Sequence, residues 1–225
     1  MKHEIIQKPD FAMLKISLEQ DESVSAESGA MLGKDSNVDI KTSVKGGLLK
    51  GFKRKLLNDE SLFINTFTAT NKPGELLLAP STPGDIEHLE LNGNTVFLQS
   101  GSYLASGNGV ETDTKWGGAK AFFGGEQIFM IKCQGQGDLW FSTYGAVHTV
   151  DVEGSYIVDT GAIVAFEDTL DFRVKSVGGL KSLLFSGEGL VCEFSGVGKL
   201  YLQTRLPAGF VQWVNPFRPQ KKSNN

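Results

Sequence analysis

The chain has 225 residues, 40% of them hydrophobic and 15 of them Phe, enough to fill a sizeable core and to exclude a wholly disordered chain. Its formal charge of −4 and pI near 5.5 argue against a general nucleic-acid binder, which needs a basic surface to displace phosphate counterions. No run approaches the ~18 apolar residues of a membrane-spanning helix, and Met1 to Asp10 lacks the apolar segment of a signal peptide, so a soluble, cytoplasmic protein is expected.

Taken in chain order, short runs of Val, Ile, Phe, Leu and Thr alternate with turn signals, which predicts an all-β chain, sandwich or barrel. The first echo begins at Glu27-Ser28-Gly29-Ala30-Met31-Leu32 and continues at Gly46-Gly47-Leu48. An acidic turn, Asn58-Asp59-Glu60, then leads into Leu62-Phe63-Ile64, and Gly74 precedes Leu76-Leu77-Leu78. The same order returns as Gln99-Ser100-Gly101-Ser102-Tyr103-Leu104, Gly117-Gly118, Gly124-Gly125-Glu126, Ile128-Phe129-Met130, Gly137 and Leu139-Trp140-Phe141. It returns again as Asp159-Thr160-Gly161-Ala162-Ile163-Val164, Gly178-Gly179, Ser186-Gly187-Glu188, Leu190-Val191-Cys192, Gly198 and Leu200-Tyr201-Leu202. A repeat of this length is one supersecondary unit used three times.

The expected organisation is a single domain over 1–215, with units at about 11–91, 92–151 and 152–214, and a frayed tail over 216–225. Clean alternation over Leu170 to Lys175 turns Leu170, Phe172 and Val174 to one face. The shared glycines Gly74, Gly137 and Gly198 read as turns of hairpins, as do Gly107-Asn108-Gly109 and Gly135-Gln136-Gly137. Cys133 and Cys192 lie in apolar runs and are expected to be buried thiols.

One segment breaks the repeat. Leu48, Phe52 and Leu56 recur at i, i+4 and i+8 and predict a short amphipathic helix, with Lys50, Lys53, Arg54 and Lys55 on its other face. Leu48, Phe52, Lys53, Arg54 and Lys55 are the candidate surface for an anionic membrane or a protein partner. Glu60, Glu126 and Glu188 are equivalent across units and are candidate repeat-turn contacts, to a ligand or between subunits; the alternative is a carboxylate bonding its own turn.

A catalytic set is missing: there is no G-x-S-x-G elbow, and Ser102 is matched by Ala30 and Ala162 in the other units. The histidines His3, His88 and His148 show no ligand spacing, so no metal site and no cofactor are expected.

The residues Ala26 to Met31, Asn58 to Asn65, Leu78-Ala79-Pro80 with Pro83-Gly84-Asp85-Ile86, Gln99 to Ala105, Val158 to Gly161 and Gly187 to Leu190, in that order, resemble the altered-inheritance-of-mitochondria protein 24 family, a mitochondrial biogenesis family. The resemblance implies three fused β units similar to the tryptophan RNA-binding attenuation protein, joined as a ring-like homotrimer. No Lys/Arg pattern repeats across the units, so RNA and DNA are not expected as partners. The expected role is that of a non-enzymatic scaffold or binding protein, with peripheral association to a membrane or envelope. The alternative is a ring that binds a small ligand or nucleic acid.

Overall fold

A computed structural model describes residues 1–45, 62–113, 130–176 and 190–218. Among the described residues the chain is all-β apart from one short helix. The first stretch holds β1 (Lys2–Ile6), β2 (Met13–Leu18), β3 (Ser23–Glu27), β4 (Met31–Lys34), β5 (Val38–Lys45), β6 (Leu62–Ala69) and β7 (Gly74–Leu78). The second holds β8 (Ile86–Gln99), a 3-10 turn at Ser100–Ser102, β9 (Tyr103–Gly107), β10 (Val110–Asp113) and β11 (Met130–Ser142). The third holds β12 (Val147–Asp159), a 3-10 turn at Thr160–Ala162, β13 (Ile163–Glu167), β14 (Leu170–Ser176) and β15 (Leu190–Gln203). The helix α1 (Pro207–Val214) and a 3-10 turn at Asn215–Phe217 follow.

The strands form two antiparallel sheets. One runs β1-β2-β7-β4; the other runs β12-β15-β13-β8-β11-β9-β3-β6-β5, with β10 beside β11 and β14 beside β15. In each stretch an early strand pairs with the last one, β2 with β7, β8 with β11 and β12 with β15, and β1 lies on β2. The last strand also carries the middle ones, β4 on β7, β9 and β10 on β11, β13 and β14 on β15. Two further ladders join successive stretches, β9 to β3 and β13 to β8.

The glycines expected to reverse the chain bend it instead. Gly135 and Gly137 lie inside the 13-residue β11, and Gly198 inside the 14-residue β15. Strands β9 and β10 both run antiparallel to β11 in one register, so Gly107-Asn108-Gly109 interrupts a strand and does not turn it back. Gly74 opens β7 after a separate turn at Asn71, whose φ is 66°. The physical reason is that a positive φ serves a bulge as well as a hairpin. At Gly135, φ is +124° and a Cβ would lie 2.1 Å from the Gly109 carbonyl oxygen, so only glycine fits that bend. Gly196, at φ +123°, stands at the matching place in β15.

The core forms three clusters that interlock. Leu14, Ile16, Phe67 and Leu76 of the first stretch close over Trp140 from β11. Tyr103, Ile131 and Phe141 of the second take in Ile64 from β6 and Tyr201 from β15. Phe166, Phe194 and Leu200 of the third take in Phe97 from β8. Phe166 meets Phe97 at 5.2 Å and Phe194 at 5.0 Å between ring centroids. Each such buried side chain stabilises the fold by about 1.5–3 kcal/mol relative to exposure. The alternation expected over Leu170 to Lys175 holds, since Leu170, Phe172 and Val174 join this cluster.

The connections between stretches also meet. Ala12 N–H donates to Gly84 O at 2.9 Å, Asp85 N–H to Gly145 O at 3.0 Å, and Arg205 N–H to Tyr144 O at 3.2 Å.

Candidate functional site

Every candidate residue named from the sequence, Glu60, Glu126 and Glu188 in the acidic turns and Leu48, Phe52, Lys53, Arg54 and Lys55 in the basic segment, lies outside the described residues. Three other features stand out among the residues that are described.

The first is a polar cluster built by strand register. His88 on β8 pairs directly with Trp140 on β11, and Asp138 lies two residues before Trp140. Side chains two apart on a strand share a face, so His88, Trp140 and Asp138 rise together. His3 reaches them from β1, which belongs to the other sheet and pairs with β2 through Ile16. The His3 and His88 rings are 4.2 Å apart, and Trp140 sits 5.1 Å from the first and 5.4 Å from the second. His88 Nε2 lies 2.8 Å from Asp138 Oδ1. Trp140 is fully buried, and its Nε1 has no hydrogen-bond partner among the described residues. Burial, then the neighbouring His88, push the His3 pKa below the ordinary histidine value, with Asp138 partly opposing them. No spacing rule could find this set, because only the sheet brings the three donors together. Nothing in the sequence marks the neighbours of His88 across the sheet.

The second feature is two of the four terminal strands. Among the described residues, β4 and β1 end one sheet, and β12 and β5 end the other. Strands β4 and β12 carry outward apolar side chains: Leu32 is 60% exposed and Ile157 58%, with Met31 and Tyr156 beside them. An exposed apolar edge is a template for further pairing.

The third is the helix α1. Pro207 occupies its first turn, where the missing N–H costs nothing. None of its residues is buried. Phe210, Trp213 and Phe217 form a chain of ring contacts at 6.0 and 5.8 Å, which meets the body where Phe210 lies 6.1 Å from Tyr144. Trp213 is 66% exposed, and Arg205 and Arg218 flank the aromatic row. The signal was present in the sequence as Leu206, Phe210, Trp213 and Phe217 at i, i+4, i+7 and i+11. No helix among the described residues is long and apolar enough to cross a membrane.

The half-buried Glu27 and the buried Cys192 also have altered acidity. Burial pushes the Glu27 carboxyl up to about 7. Burial also pushes the Cys192 thiol up to about 12, so Cys192 does not resemble an activated nucleophile, and Cys133 is buried as well.

Residues 3–205 match the model of a family described as mitochondrial biogenesis AIM24. An uncharacterized protein of Streptococcus pyogenes serotype M6 is 30% identical over 213 residues, covering 91% of this chain and 86% of that protein. The crystal structure of another Streptococcus pyogenes protein superposes with a TM-score of 0.78 at 26% identity, covering 96% of this chain and 99% of that one.

Proposed function

The chain belongs to the mitochondrial biogenesis AIM24 family, and we propose that it is a non-enzymatic, self-assembling scaffold that brings aromatic helices to an anionic membrane surface. A correspondence of register carries this reading. Strand β9 joins β3 through Ala26↔Ala105, Ser25↔Ser106 and Val24↔Gly107. Strand β13 joins β8 through Leu98↔Ala165, Phe97↔Phe166 and Val96↔Glu167. The sequence echo aligns Glu27 with Gln99 and Asp159, and Met31 with Tyr103 and Ile163. Counted along that echo, these two ladders are the same ladder.

The same count leaves one set unused on each side. Val158, Ile157 and Tyr156 of β12 are the counterparts of Ala26, Ser25 and Val24. Gly33, Lys34 and Asp35, in and just after β4, are the counterparts of Ala105, Ser106 and Gly107. A second copy would supply the missing half: Val158 opposite Gly33, Ile157 opposite Lys34, Tyr156 opposite Asp35. The two edges differ, so the interface is head-to-tail and repeats until it closes. The family resemblance implies that the ring closes as a homotrimer.

The membrane part rests on α1. A helix with exposed Phe and Trp beside arginines has the composition of an interfacial segment, and several copies on one assembly would add through effective concentration. Native mass spectrometry should give the mass of three chains; a monomer at every concentration refutes the scaffold. Anionic vesicles should sediment the protein at low salt, with Trp213→Ala and Phe217→Ala reducing the bound fraction. A trimer that ignores anionic vesicles leaves the scaffold and refutes the membrane role.

A further inference from the structure

The unpartnered indole and the imidazole pair above it raise a separate question of what the cluster holds. We propose that His3, His88 and Asp138 bind one divalent transition-metal ion of the Zn2+ type, pinning the N-terminal strand of one sheet to the long β8–β11 ladder of the other.

The donor set is the first argument. Two imidazoles and one carboxylate are the ligands that Zn2+ and its first-row neighbours take, while Mg2+ and Ca2+ take oxygen. Geometry is the second. The three donor atoms all lie within 4.8 Å of one another. Metal–ligand bonds of about 2.0–2.2 Å put tetrahedral ligands about 3.3–3.6 Å apart. His88 and Asp138, at 2.8 Å, would have to open by about 0.5–0.8 Å to meet that requirement. His3 sits on the edge strand β1 and closes the remaining ångström or so by rotating its ring, which edge position and partial exposure allow.

The surroundings are the third argument. Trp140 forms a dry floor beneath both rings. A hydrophobic wall on one side limits exchange with water and strengthens a charge-assisted site. No fourth His, Cys, Asp or Glu among the described residues joins the three, which leaves a fourth position for water or an incoming ligand. The ion would also explain why two imidazoles stand 4.2 Å apart against a single carboxylate. This site does not depend on assembly, because all of its ligands come from one chain.

The test uses the full chain, free of tags and stripped with EDTA. Zn2+ is followed by calorimetry, and Co2+ by its visible d–d absorption and by quenching of tryptophan fluorescence. Cu2+ and Ni2+ are avoided, since a free amine with His at the third position chelates them alone. One equivalent of Zn2+ or Co2+ should bind per chain, Mg2+ should not, and the melting temperature should rise with bound metal. Asp138→Asn and His88→Gln should each weaken binding by about 100-fold or more, beyond the 10–100-fold typical of an outer-shell partner. Trp140→Phe should keep the Co2+ absorption and lose most of the quenching. Parent-like titrations of Asp138→Asn and His88→Gln would overturn the site, as would a loss confined to His3→Ala. Absence of saturable Zn2+ binding to the parent chain would also overturn it.

Discussion

Glu27 offers a quantitative test of burial at the end of β3. It ends β3, opposite Ile64 of β6, and its carboxyl titrates at about 7 in the fold against 4.5 for an unburied Glu. The cause is desolvation: burial takes water from the charged form. A raised pKa means that the folded state binds the proton more tightly. The stability tied to this group is therefore fully present below pH 4.5 and is lost as pH rises through about 7. At about 1.36 kcal/mol per unit the ceiling is about 3.4 kcal/mol, and partial exposure of the side chain reduces that to about 1–2 kcal/mol. Glu27→Gln removes the charge and keeps the shape, and the second stretch already carries Gln99 at the matching position. Urea unfolding of both proteins across this pH range isolates the effect, because every other titrating group cancels in the difference. The variant should gain about 1–2 kcal/mol over the parent at about pH 8, with an unchanged m-value, and nothing below pH 4.5. A difference that does not vary with pH, or one that grows toward acid, would refute desolvation as the cause.

The bends and the core make further predictions. Gly135→Ala should destabilise by about 3 kcal/mol or more, since it combines strain at positive φ with a backbone clash. Gly93→Ala, at φ +92° with nothing near its Cβ, is the control and should cost only about 1 kcal/mol; equal thermal shifts would mean the β11 bulge does not close on Gly109. Phe166→Ala should cost about 3–5 kcal/mol by chemical denaturation, as it removes the ring shared by Phe97, Phe172 and Phe194. Both cysteines should ignore Ellman's reagent in the native protein and react fully in denaturant; a fast native phase would contradict their burial.

Much of the strand order was legible because the same words recur. Leu76, Leu139 and Leu200 each open the half of a closing strand, and Gln99 and Asp159 each precede a 3-10 turn that swings into the next strand. The bends were misread because glycine at positive φ is the same letter in a hairpin and in a bulge, and only the partner strand decides between them. The helix α1 was readable in principle, but its apolar residues follow so closely on Leu200-Tyr201-Leu202 that they pass for the end of a strand. The cluster of His3, His88 and Asp138 was not readable at all. Its members share no local pattern, and their meeting depends on β1 and β8 lying in different sheets that face each other at one point.

The open edges of β4 and β12 test the assembly more directly than a mass alone. Ile157 and Leu32 point away from the chain's own core, so a charge at either position costs the isolated chain little. In the register proposed for the ring, Ile157 lies opposite Lys34 of a second copy. Ile157→Lys would then set two like charges across one ladder and remove an apolar side chain worth about 1.5–3 kcal/mol when fully buried. The expected result is a monomer whose circular dichroism matches the parent. Adding Lys34→Glu should restore assembly by reversing one partner's charge, an outcome that a general surface effect does not produce. Heterologous edges either close into rings or run on as filaments, so light scattering must accompany the mass. A discrete particle supports edge pairing that closes, and a filament supports pairing without closure. An Ile157→Lys protein that assembles like its parent would show that β12 is not the joining edge.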